Sequence, residues 1–309
     1  MMNDAIKVMI DSGAHSLYTK EVMRKEDNYD YYESDDFWAF VDSYAAFIKE
    51  NKDNIDTYVN VDVIFNPELT WKVQRYMEDV HKLSPLPVFH SGEDFKWLKM
   101  YVENYDHIGM SGLGQRAKKA QWIKNVGDPA FRIVCDDKGM PKVKVHGFAM
   151  TSPDLMVIYP YHSVDSGSWF QFGKYGLIIV PKKRNGKFIY DESPHIISVS
   201  TRKTRKMEAE NFDHLPDMEK KAFMEYIEMK GFKMGSSELE EVAFDNTKVE
   251  FPIGKTEISD KEVVIEQGIC NNSYIRDELN LQFYLDAEKN IPPWPRPWKK
   301  LIKATQFPF

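Results

Sequence analysis

Two carboxylates occupy positions from which acids do chemistry. Asp11 follows an apolar run over 6–10 and precedes Ser12-Gly13-Ala14, and Asp165 closes Ser163-Val164 and precedes Ser166. An acid at the carboxyl end of a strand, followed by small turn-forming residues, is how barrels and open α/β sheets present reactive groups. A pair of such acids suits proton transfer to and from a reacting group, or attack by one carboxylate while the other moves the proton. Three further strand ends carry polar groups: Asp62 after 57–61, His90 after Leu86-Pro87-Val88-Phe89, and Ser111 before Gly112-Leu113-Gly114. Singly, each has a plain structural explanation as a turn, a cap or a satisfied buried histidine.

The elements that must position these groups alternate strand and helix. Ser34-Asp35-Asp36 caps a predicted helix with Phe37, Val41, Tyr44 and Ile48 on one face. Asn66-Pro67 opens a second, with Leu69, Val73, Tyr76 and Val80 inward. Ser91-Gly92-Glu93-Asp94 has the form of a capping box leading into Phe95, Leu98 and Val102. A helix is expected over 115–124 and a fifth strand over 142–150. Such alternation predicts an α/β fold with a parallel sheet, and its short connections favour a (β/α)8 TIM-type barrel with C-terminal helical additions. Beyond Asp165, strands are expected at 177–180 and 195–199 around the Asn185-Gly186 turn, and helices at 216–230 and 279–287. The Pro- and Trp-rich segment 291–298 is expected to pack its tryptophans onto the body. The expected division is a barrel over 1–207, including a basic hairpin at 181–206, and C-terminal elements over 208–309.

Composition narrows the class. The chain has 309 residues, 42% hydrophobic and 29% charged, enough for a large core in a globular protein. No apolar stretch approaches the ~20 residues a membrane span needs. The first residues lack a basic leader and long apolar segment, so no signal peptide is expected. Cys135 and Cys270 are the only cysteines, which points to a reducing cytoplasm and excludes a multi-cysteine zinc site. Neither a metal nor a cofactor is expected. The net charge of −7 does not favour nucleic acid, yet Lys182, Lys183 and Arg184, then Arg202, Lys203 and Arg205, form dense local patches. They read either as solvated loops or as a surface that tracks phosphates.

The ordered strand ends resemble the queuine and archaeosine tRNA-guanine transglycosylase family. Asp11-Ser12-Gly13-Ala14-His15 resembles its Asp-Ser-Gly-Gly-Phe stretch, and Asp62 matches a strand-end aspartate that reads the guanine edge. Val88-Phe89-His90-Ser91-Gly92 is similar to its Gly-Ile-Gln-Gln-Gly, with His90 in place of a base-contacting glutamine. Ser111-Gly112-Leu113-Gly114 looks like Gly-Gly-Leu-Ala, Phe148-Ala149-Met150-Thr151-Ser152-Pro153 like Met-Gly-Val-Gly-x-Pro, and Asp165 falls on the nucleophile strand. The resemblance covers roughly residues 6–180. It departs at the family's zinc site, which needs three cysteines and a histidine. The chain therefore looks more like zinc-less, phage-encoded relatives that place 7-deazaguanines into DNA, which would put it in a host cytoplasm.

The resemblance implies a base exchange at C1′ of a sugar, with Asp165 as nucleophile and Asp11 as general acid/base carrying the more raised pKa. Asp62, His90, Ser111, Gly112, Leu113 and Met150 would hold the base, with Tyr161 beside it, and the two basic patches would hold the polymer, with Trp169 and Phe172 as stacking candidates. The implied partners are nucleic acid (DNA favoured over tRNA) and a 7-deazaguanine such as 7-cyano-7-deazaguanine; no membrane is implied, and a homodimer is left open. A tRNA enzyme, an N-glycosidic hydrolase and a non-catalytic partner subunit are the competing readings.

Overall fold

In a computed structural model the described residues are 7–25, 29–111, 119–201, 210–244 and 257–298. The structure is α/β, and the chain divides into two compact units: one of 1–150, 158–165 and 293–309, the other of 151–157 and 166–292. The division falls elsewhere than the 207/208 boundary expected from sequence, because strands after Asp165 pack with later helices.

Six short parallel strands run through the first unit in chain order. They are β1 Met9–Ile10, β2 Thr57–Tyr58, β3 Val88–Phe89, β4 His107–Ser111, β5 Lys144–Phe148 and β6 Ser163–Val164. β1 pairs with β2, a parallel bridge joins Val59 to Leu86, and β3 to β6 form one ladder.

The helices between the strands form where their signals lie. Ser34 Oγ accepts from the Phe37 N–H to start Asp35–Asn51, and Phe37, Val41, Tyr44 and Ile48 are all buried as expected. Asn66 caps Pro67–Asp79, but its buried face is Thr70, Val73, Gln74 and Met77; Val80 lies past the last turn and is exposed. The third helix, Phe95–Asn104, is capped by Asp94 through the Lys96 N–H. The expected capping box does not form: Glu93 turns back and accepts from the His90 N–H at 3.1 Å. Trp298 is fully buried among Phe131 and Tyr159, and its backbone N–H donates to the Gly139 carbonyl at 2.8 Å.

Strand periodicity puts His146 and Phe148 on one face of β5. Phe148 packs with Val88, and a Cβ on Gly109 would stand 2.5 Å from its ring. Gly109→Ala should therefore cost about 1–3 kcal/mol of stability, the usual penalty for overpacking. Urea denaturation of the variant checks this.

In the second unit, β7 Leu177–Val180 pairs antiparallel with β10 His195–Ser198, which pairs in parallel with β11 Glu210–Asn211. Between β7 and β10, β8 Lys182–Arg184 and β9 Lys187–Ile189 form a hairpin around Asn185-Gly186, both at positive φ. This is the turn that sequence pair favours. Helices Asp217–Met229 and Ser273–Asn290 cover the sheet with Phe223, Tyr226, Ile227 and Leu279. Buried Asn280 accepts from the Ile179 N–H and donates to the Leu177 carbonyl, supplying β7 with the partners a missing edge strand would give. A ribbon of β12 Ser236–Phe244 and β13 Glu257–Glu266, unread in the sequence, completes the unit. No helix among the described residues is long and apolar enough to cross a membrane.

Candidate active site

The six parallel strands carry Asp11, Asp62, His90, Ser111 and Asp165 at or just beyond their carboxyl ends, all within the first unit. Asp11 leaves β1 into a turn at Gly13, whose φ of 76° is the left-handed region that only glycine adopts without strain. Solvent reaches the Asp11 carboxyl, yet the walls around it desolvate it enough to raise its pKa. Desolvation is the largest cause; repulsion from Asp62 adds to it, the Gly13 and Ser12 amides oppose it, and Asp165 adds further repulsion.

Asp165 is placed differently. Its side chain is 56% exposed, and its Oδ1 accepts from the Ala149 N–H at 2.8 Å. His146 Nε2 lies 3.8 Å from the same oxygen. Burial pushes the carboxyl upward, but His146 and the Ala149 amide outweigh it and hold the pKa below the ordinary carboxylate range. The environments of the two acids push them in opposite directions, Asp11 toward the protonated form and Asp165 toward the ionised one, and Asp165 adds a small repulsion at Asp11.

Asp62 is buried, and the His90 Nε2–H donates to its Oδ2 at 2.7 Å. A carboxylate can only accept, so this contact fixes the proton on Nε2. Although burial works against it, hydrogen bonding and charge from Asp62 raise the pKa of His90. Glu93 stands behind the pair; burial raises its pKa, and its Oε1 is buried without a hydrogen-bond partner. The floor is held by hydroxyls: the Ser91 N–H donates to Ser111 Oγ at 2.8 Å, and Ser111 Oγ donates to Ser91 Oγ at 3.2 Å. Behind Asp62, Thr70 Oγ1 accepts from the Val63 N–H at 2.8 Å and clamps the loop. Asp62→Ala should leave His90 without its buried partner and cost about 1–3 kcal/mol of stability, readable in a thermal melt.

Several expected roles do not match the geometry. Met150 is 1% exposed and Tyr161 is buried against Phe131, so neither offers a face to a base. What Met150 supplies is its N–H, which donates to the Asp165 carbonyl at 2.9 Å. Gly112 and Leu113 lie outside the described residues, as do Arg202, Lys203 and Arg205. In the second unit, Arg184 pairs with Glu192 at 2.7 Å, Lys182 approaches the same carboxylate at 3.9 Å, and Lys183 pairs with Glu225. Three of the cations expected to track phosphates thus share two carboxylates, which offset part of their charge and leave one positive charge in excess. Phe172 is half-buried and packs in a core cluster with Phe283.

Two groups escaped the sequence reading. His146 is buried in the middle of β5, where nothing but its residue type marks it. Phe65 follows Asp62 by three residues, is exposed, and holds a φ of 67°. Non-glycine residues in that region are strained and gather at functional loops. Among the described residues, His195, Glu210 and Glu219 of the second unit bring possible metal-ligating atoms within 4.8 Å of one another. His195 Nδ1 already lies 3.2 Å from Glu210 Oε2.

Comparison of the chain with protein-family models, curated proteins and solved structures returns no match.

Proposed function

We propose that the first unit is a carboxylate-based glycosyl-transfer site, with Asp165 as nucleophile and Asp11 as general acid/base. More narrowly, we propose a base-exchange transglycosylase that replaces guanine in a nucleic acid, DNA in preference to tRNA, with a 7-deazaguanine. The observation that supports this most is a pair of strand-end carboxylates, Asp11 after β1 and Asp165 after β6, whose surroundings shift their pKa values in opposite directions. The motif order quoted above supplies the identity of the base. On this reading the six-strand run is part of a (β/α)8-type barrel.

In the proposed reaction an Asp165 oxygen attacks C1′ of the sugar as the C1′–N9 bond breaks, and Asp11 gives its proton to the departing guanine. The sugar is then an ester of Asp165. Asp11, now ionised, takes the proton from N9 of the incoming base. That nitrogen displaces Asp165 from C1′, and two inversions give overall retention. No oxidant, metal or external acid is consumed. On this reading Asp62, held through Oδ2 by the His90 Nε2–H, would accept from the N1–H and exocyclic amine of a guanine-like base, a contact that discriminates by hydrogen bonding. The target nucleotide must leave its stack to reach strand-end groups, and Phe65 is placed on an exposed loop beside Asp62 to meet it or its neighbour.

The test is mass spectrometry of nucleosides from DNA and from tRNA of cells that express the protein and are fed 7-deazaguanines. Modified deoxynucleosides in the DNA support the reading; modification of tRNA alone moves the substrate to RNA, and free guanine without exchange indicates a hydrolase.

A further inference from the structure

His146 takes no part in that scheme, and its surroundings call for a role. Its ring is buried on β5, with the Phe148 ring packed edge-on at 4.5 Å. Nδ1 lies 2.8 Å from Ser163 Oγ on β6. Nε2 is buried without a hydrogen-bond partner, and the group in front of it is Asp165 Oδ1 at 3.8 Å. A neutral imidazole has one N–H and one lone pair. If Ser163 donates its hydroxyl proton to Nδ1, the imidazole proton sits on Nε2 and points at the carboxylate. The three residues then form a line across two neighbouring strands: hydroxyl, imidazole, carboxylate.

We propose that His146 is a positioning residue for Asp165, its Nε2–H fixing one carboxylate oxygen so that the other is presented for attack. The catalytic consequence rests on the base-exchange reading; the pairing itself does not. Oδ1 accepts from the Ala149 N–H and faces the imidazole at 3.8 Å, longer than a hydrogen bond, so the ring acts on it by charge and dipole, and Oδ2 is the oxygen proposed for attack. Ser163 sets the ring tautomer and Phe148 blocks the ring from swinging away, so the orientation is paid for before substrate arrives. The lowered pKa of Asp165 agrees with such a contact. The other titratable groups that feel the pair are Asp11, which Asp165 repels, and His107 on β4 and His162 beside Ser163, on which His146 acts; Lys144 on β5 acts on both histidines. Burial lowers the pKa of both histidines, that of His107 to about 4, so His107 stays neutral near neutral pH.

The experiment follows the Asp165 carboxyl by ¹³C NMR in the full chain, assigned from the Asp165→Asn spectrum, in wild type, His146→Leu, His146→Gln and Ser163→Ala. His146→Leu is expected to move the titration upward, and His146→Gln, which keeps an N–H donor, to restore part of the shift. Ser163→Ala, which leaves the imidazole in place, should give a smaller shift in the same direction. It serves as the deciding variant if His146→Leu does not fold. In parallel, the rate of covalent adduct formation should fall about 10- to 100-fold in His146→Leu with KM unchanged, the scale of a small misplacement of a reacting group. A titration that stays put in folded His146→Leu, or in Ser163→Ala if the first is unfolded, overturns the proposal. A shifted titration in a wild-type protein that exchanges no base supports the pairing and removes the transglycosylase reading.

Discussion

Asp165→Asn is expected to abolish base exchange, with a loss of about 10⁴-fold or more, the scale seen when the attacking group of a covalent mechanism is removed. An amide of the same shape still accepts from the Ala149 N–H but is a poor nucleophile and forms no ester with C1′. Folding should survive, because the side chain is more than half exposed and its contacts lie at the sheet end. The loss should appear in the chemical step: binding of the polymer, measured by fluorescence anisotropy, is expected to stay within about twofold, the signature of an interaction made only in the transition state. Retained exchange by the variant would remove Asp165 as nucleophile.

The second large effect is expected at Asp11. Asp11→Asn should slow both formation and turnover of the covalent intermediate by about 10²–10⁴-fold, the usual contribution of general acid–base catalysis. In the wild type, activity should rise with pH as Asp165 ionises, below the ordinary carboxylate range, and fall as Asp11 loses its proton, above its own ordinary value. The alkaline limb should vanish in the variant. Stability should move the other way. Because the folded state raises the pKa of Asp11, its ionisation opposes folding; that cost is absent below the unfolded pKa and complete above the folded one. Asparagine removes it, so the variant is expected to melt at or above the wild-type temperature at pH 7, with the difference closing as pH falls. A variant that melts lower at pH 7 would contradict the electrostatic assignment.

What the sequence made legible is the local part of this architecture. Phe37, Val41, Tyr44 and Ile48 recur with the helical period and are all buried. The strand ends at Asp11, Ser111 and Asp165 were marked by small residues after an apolar run. Less visible were contacts that depend on distant segments. Glu93 sits where a capping box needs it, but the His90 amide competes for its carboxylate and Asp94 takes the cap. Met150 looked available to a base, yet it is buried, packed close against Gly147 of β5. The partners of Arg184 and Lys183 were not visible in the sequence because Glu192 and Glu225 lie 8 and 42 residues away. The β12–β13 ribbon went unread because Glu238, Glu240 and Glu241 break the apolar alternation that marks a strand. His146 was hidden for a simpler reason: one histidine inside a strand has no pattern, and its meaning comes from Ser163 and Asp165 on the neighbouring strand.

The most direct measurement is to mix the purified protein with a guanine-containing DNA strand, without an incoming base, denature it rapidly, digest it and sequence the modified peptide by mass spectrometry. The account predicts one adduct, a deoxyribosyl ester on Asp165, with free guanine released in equal amount. An adduct on another residue, or release of guanine with unmodified protein across the whole time course, would contradict it.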